Sequence, residues 1–310
     1  MLTLLMTLAA AHHPGGVSRV SNDNADVLAV QASQGEWRLD VGIGMVTTPF
    51  DHVQRGGRRG ESVDGVVLLT HTLTARVWLP SSTFVQLSTP FTAVFTAGEN
   101  SFGIGDVGAQ VGQQVDLGPG VLTTGFGVSA PTGLASNKAG VEVLWLETED
   151  GELYASSVQT RTQPGLGVWS AEGAVSVSQP VGRWRLRLGI QTRIPLGETD
   201  QKVRWGTDVA LTSSVSTDVQ MWRFGLGAEV WTHTPDRMPS VAGAVDPGDY
   251  RMNRSHGVAV LPTVGVAPSS NSRCGGAVQL PVWQWVDGSQ LAPSYRVSAQ
   301  CQVSVGRSGE

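Results

Sequence analysis

Three arginines, Arg183, Arg185 and Arg187, stand at alternate positions between Trp184, Leu186, Leu188 and Ile190. A guanidinium stays charged at any ordinary pH and offers a planar fork of donors to carboxylates and phosphates. Side chains alternate faces along a strand, so this stretch carries one apolar face and one strongly cationic face. Under the same period, Arg38, Asp40, Glu172, Arg193, Arg204, Asp208, Arg223 and Glu229 fall on polar faces of their own stretches. Charges gathered this way support either of two roles. They form an anion-attracting wall beside Glu172, or they pair with one another across a lumen filled by its own side chains.

Other candidate chemistry is sparse. The segment 127–131 resembles a nucleophile elbow but lacks the closing glycine that lets such a turn approach its helix. No phosphate-binding glycine loop, CxxC pair or HExxH pattern occurs. Asp106 follows Gly105 and suits a turn or lumen contact better than a catalytic acid. The histidines are scattered, and only His12 and His13 are adjacent. At a freed amino terminus that pair has the nitrogens to hold Cu(II) or Zn(II), although a solvated tail needs no metal. An enzyme is therefore not expected, and no cofactor is implied.

The elements that carry these residues are short strands. Alternation runs over about 36–47, 65–75, 83–95, 103–115, 121–130, 168–178, 183–191, 203–212, 219–231, 257–266, 273–285 and 294–305. Connections after odd-numbered strands are mostly long, as at 49–64, 132–161 and 232–255. Those after even-numbered strands are short, near 78–81, 116–120, 179–182, 215–218 and 267–271. An outer-membrane barrel has an even strand number, short periplasmic turns and longer external loops. A Greek-key sandwich has no reason to alternate so regularly. Strands of this length also suit a tilted crossing of a bilayer.

Composition agrees with that reading. Charged residues make up 15% of the 310-residue chain, against about 25% in ordinary soluble proteins. Mean hydropathy is −0.02, as expected where lipid-facing and polar positions alternate and cancel. The net charge of −5 excludes a broadly basic nucleic-acid binder. Aromatics are 6% with three tyrosines, so interfacial girdles must rest on Trp and Phe. Residues 1–11 suit an apolar export signal ending in small residues, and two cysteines fit an oxidising compartment.

Phe102-Gly103-Ile104-Gly105-Asp106 and Ala130-Pro131-Thr132-Gly133 resemble the Gly-x-Gly-Asp strand start and Pro-Thr-Gly strand end of a transporter family. Its members are usually labelled meta-pathway phenol-degradation outer-membrane proteins. The stretch 278–284, then Asp287-Gly288 and 295–298, is similar to that family's last hairpin. The His-His-Pro-Gly segment at 12–15 is similar to a subset found beside metal-efflux systems. The resemblance implies an outer-membrane barrel and leaves the solute open.

The expected fold is all-β: a single antiparallel up-and-down transmembrane β-barrel of about 12 strands. The expected organisation is a signal peptide (1–11), a periplasmic extension (12–35), the barrel (36–306) and a tail (307–310). The expected place is the bacterial outer membrane, with lipid and a small solute as partners and no nucleic acid. The expected role is a channel or uptake protein, the alternative a non-conducting accessory barrel. One register follows from arithmetic. A final hairpin centred between Asp287 and Gly288 makes opposed residues sum to 575, so Cys274 faces Cys301 on the outward side. A slip of a residue or two leaves them diagonal and unbridged.

Overall fold

The computed structural model describes residues 37–95, 100–133, 141–147, 153–159, 165–199, 204–238, 250–252 and 254–306. The expected signal peptide, the extension with His12 and His13, and the tail at 307–310 lie outside these. The chain enters through a long hairpin, β1 (Arg38–Gly56) and β2 (Arg58–Trp78), followed by β3 (Thr83–Phe95), β4 (Asn100–Ile104) and β5 (Val107–Asp116). Then come β6 (Val121–Ala130), the small hairpin β7 (Val141–Glu147) and β8 (Leu153–Gln159), β9 (Trp169–Val181) and β10 (Trp184–Leu196). The last third is β11 (Asp208–Val219), β12 (Trp222–His233), the hairpin β13 (Asp236–Met238) and β14 (Tyr250–Met252), β15 (Ser255–Ser269), β16 (Ser272–Pro293) and β17 (Arg296–Gly306).

Each wall strand pairs antiparallel with its neighbours, and β1 joins β2 on one side and β17 on the other. Since β2 also pairs β3, the sheet closes into a 12-strand barrel with no free edge. β4 and β5 share one place in the wall: β3 pairs β5 through Thr83–Ser88 and β4 through Phe91–Phe95. The break between them is Gly105-Asp106. The β7–β8 and β13–β14 hairpins are separate two-stranded sheets in the long connections.

Several reversals sit away from their expected places. The segment 49–64, expected as a loop, instead prolongs β1 and β2, paired as far as Arg55 and Arg58 through two register shifts. The turns expected at 179–182 and 215–218 come later, at Gly182-Arg183 and Gln220-Met221, with Val181 opposite Trp184 and Val219 opposite Trp222. Two-residue turns need a positive φ to match the strand twist, and Gly182 (60°) and Gln220 (55°) supply it. A tight turn needs no spare polar residues, so the strands run on through Gln179-Pro180 and Ser216-Thr217.

The outer surface is apolar. Leu188 is 56% exposed, Leu226 54% and Val303 51%, while the alternate positions turn inward. Among the described residues, no Asp, Glu, Lys or Arg faces outward between the two rims of the wall, and His71 is the titratable side chain there. Trp37, Trp184 and Trp222 stand exposed near the short-turn end; Trp169, Trp283, Phe95 and Phe102 stand exposed near the other. Leu196, opposite Trp169, is twelve residues along β10 from Trp184. An apolar band between two aromatic girdles is the exterior of a membrane-spanning barrel, and tight turns at one end against longer connections at the other put the short turns on the periplasmic side. The outer-membrane location follows from the same exterior. Cys274 and Cys301 are directly opposed, Cα atoms 4.0 Å apart, and joined by a disulfide on this outer face.

Candidate functional site in the barrel lumen

The inner wall is built from the polar half of each alternation. Its side chains are unevenly covered. On β1–β3 and β15–β17, Val46, Phe50, Leu68, Thr70, Trp78, Phe84, Leu261 and Ser298 are buried. On β9–β12, Glu172, Ser176, Arg185, Arg187, Gln191, Ser214 and Arg223 keep partial exposure. Ser170, Asp208, Ala210, Ser216, Glu229 and His233 on β9–β12 are buried as well, so the partly exposed polar residues of these strands run between covered ones.

At the periplasmic end, Asp40 (4% exposed) takes an ion pair from Arg38, with Nε to Oδ1 at 3.0 Å, and a hydrogen bond from Trp78 Nε1 at 2.7 Å. Arg76, directly opposite Asp40, donates from Nε to Gln86 Oε1 at 2.8 Å and lies 4.8 Å from the Phe84 ring centre. Arg223 holds Asp218 through two donors, at 2.5 and 3.0 Å. Arg187 donates to Ser176 Oγ at 3.2 Å.

Two buried networks occupy the external end. Arg193 Nη2 lies 2.6 Å from Asp208 Oδ2, and His233 bridges Asp208 Oδ1 (2.8 Å) to Asp236 Oδ1 (3.0 Å). Asp236 also accepts from Gly206 N at 2.6 Å, which ties the start of the β12–β15 connection to the β10–β11 connection. In the second network Arg296 donates to Gln279 Oε1 (2.8 Å) and to Thr48 Oγ1 (3.2 Å), and Gln279 Nε2 donates to Glu229 (2.9 Å). Beside the first network, between the β10–β11 and β12–β15 connections, is a cavity of about 510 Å³ lined by Glu198, Arg204, Trp205 and Arg237 among others.

The two motifs that carry the family resemblance meet in space. Val107 N donates to Thr132 Oγ1 at 2.8 Å, and Asp106 accepts from Gly133 N (3.1 Å) and Leu166 N (2.7 Å). A β-carbon on Gly165 would collide with Asp106 Oδ1, so the closeness of this clasp requires glycine there. Asp106 therefore anchors both ends of the long β6–β9 connection.

Of the charged residues expected in the lumen, Arg38, Asp40, Glu172, Arg185, Arg187, Arg193, Asp208, Arg223 and Glu229 face inward. Arg183 does not: it is exposed in the β9–β10 turn, 5.0 Å from the Trp184 ring. Arg204 does not either, because β11 starts at Asp208; it lies in the external connection, paired with Glu198 at 2.9 Å. Glu172 is opposite Arg193 and accepts from Ser129 at 2.8 Å, whereas Arg185 and Arg187 face Pro180 and Ser178. Arg76, Arg273, Arg296, His233 and Asp236 were missed. The signal for the first three was parity: Arg76 shares a face with Thr70, Thr72 and Thr74, and Arg273 and Arg296 lie opposite in face to the cysteines. No group of three or more His, Cys, Asp or Glu suited to a metal occurs among the described residues.

No family model matches the chain, and no curated protein does. Solved structures do. The COG4313 outer membrane channel from Pseudomonas putida F1 matches at 12% identity with a TM-score of 0.64, over 89% of this chain and 97% of its own. The NanC porin matches at 9% and 0.43, over 86% and 98%. The Pseudomonas putida toluene transporter TodX matches at 9% and 0.41, over 96% and 95%. The first likeness establishes a shared barrel fold.

Proposed function

We propose that the protein is an outer-membrane channel or uptake protein through which small molecules diffuse along the polar side of the lumen. The observation that carries this reading is the pairing of an apolar, girdled exterior with a polar inner stripe running along β9–β12. Passive selection then depends on width and wall charge. Arg185 and Arg187 give that stripe its sign, and Arg193, Asp208, Glu172 and Glu229 shape its external end. The fold shared with the COG4313 channel supports the role, and the meeting of the two motifs, Asp106 with Gly133 N and Val107 N with Thr132, supports the resemblance to the phenol-degradation transporter family. Residues 1–11 act as the export signal, and His12 and His13 begin the mature chain.

Planar-bilayer recording tests the reading: purified protein should give discrete conductance steps. Changing Arg185 and Arg187 to Glu should move ion preference from anion towards cation. A second reading, a non-conducting accessory barrel, draws on the burial of Val46, Phe50, Leu68, Trp78 and Phe84 inside the wall. Absence of steps from correctly folded protein would favour it.

A further inference from the structure

The periplasmic end of the lumen gathers arginines from five strands: Arg38 (β1), Arg76 (β2), Arg185 and Arg187 (β10), Arg223 (β12) and Arg273 (β16). They are near enough to act on one another. Arg76 lies within electrostatic reach of Arg38 and of Arg187 from the far side of the ring, as well as Asp40. Arg273 lies within reach of Arg223, Arg38 and Arg185, and of Asp218. Among the described residues, Asp40 and Asp218 are the acids within reach of these arginines, while Asp116, the last residue of β5, accepts from Gly118 N. Among the described residues, six guanidiniums and two carboxylates meet here, and cations held close together in a partly desolvated place repel one another. An anion entering that place removes the repulsion.

The groups are also held in position. Arg38 and Arg76 lie 5.1 and 5.6 Å from the Trp78 ring centre, and Gln86 fixes the Nε edge of Arg76. A guanidinium fixed against an aromatic ring loses little freedom when its donors meet a carboxylate or phosphate.

We infer that this end of the lumen is an anion-binding constriction, built to hold a small solute bearing a carboxylate or phosphate group before release to the periplasm. The inference rests on the channel reading above and names the solute class.

The test uses the full-length mature protein with two probes, citrate and inorganic phosphate. In a KCl gradient the wild type should prefer chloride several-fold over potassium, and one or both probes should reduce the chloride current. Block by citrate alone assigns a carboxylate, by phosphate alone a phosphate. The pair Arg76→Gln with Arg273→Gln should lose both preference and block. The pair Arg76→Lys with Arg273→Lys should keep the preference but weaken the block, since ammonium lacks the planar fork. Conductance without anion preference, or without block by either probe, overturns the inference while leaving the channel reading intact. If no conductance is seen, the channel reading fails, and calorimetry of both probes against detergent-solubilised wild type and the Lys pair decides binding separately. Wild-type binding several-fold tighter than the Lys pair supports the constriction; equal or absent binding overturns it.

Discussion

Single residues here do structural work that their type alone does not announce. Asp106 accepts two backbone N–H groups from segments 27 and 60 residues away in sequence. An amide left without an acceptor in a buried place costs about 1–3 kcal/mol. Asp106→Ala should therefore loosen the β6–β9 connection while the barrel persists. Limited proteolysis of outer-membrane vesicles should show faster cleavage between 134 and 164 and an intact barrel fragment. The cysteines offer a second check. The bridge has a sequence separation of 27, which in the chain-entropy model contributes ~3.5 kcal/mol. Non-reducing mass spectrometry of exported protein should find no free thiol, and reduction should lower the urea midpoint. Two free thiols would contradict the bridge.

At the level of the strand, β10 separates two environments within one residue step. Leu186, Leu188 and Ile190 face lipid, while Arg185, Arg187 and Gly189 face the lumen. Leu188→Arg places a charge near mid-membrane and should cost ~2–4 kcal/mol, read from urea titration of the protein folded into vesicles. A change within error would mean that face is not in lipid. The same strand separates wall from turn. Arg183→Glu should leave ion preference unaltered, because its side chain stands over Trp184 in the turn, two positions short of the first inward arginine. Reversal-potential measurements compare it directly with the Arg185→Glu, Arg187→Glu pair. A shift as large as that pair's would put Arg183 on the conducting path.

Across the whole barrel, Trp78 and Phe84 pack inside the periplasmic end at 2% and 3% exposure, ring centres 4.9 Å apart. Truncating Phe84 to Ala should cost roughly 3–5 kcal/mol of stability and raise single-channel conductance, because the ring occupies lumen rather than core. Unchanged conductance would place the path elsewhere. The sequence by itself determined the class of fold, the apolar and polar faces and the strand count, because side-chain direction alternates with a fixed period and lipid tolerates few charges. It determined the Cys274–Cys301 register as well, since antiparallel pairing conserves an index sum once the turn is known. It placed Arg183 and Arg204 wrongly, because a two-residue turn and a late strand start leave no mark in the alternation. What only the tertiary structure decided is which inward residues meet. Arg76 and Arg187 are 111 positions apart in sequence and come within electrostatic reach of one another only because the sheet closes on itself. The packing of Trp78 and Phe84 inside the ring belongs to that same closed wall, whereas the clasp of Asp106 on Gly133 and Leu166 needs the neighbouring strands β5, β6 and β9. Local periodicity cannot encode either, since each strand reads only its own two faces.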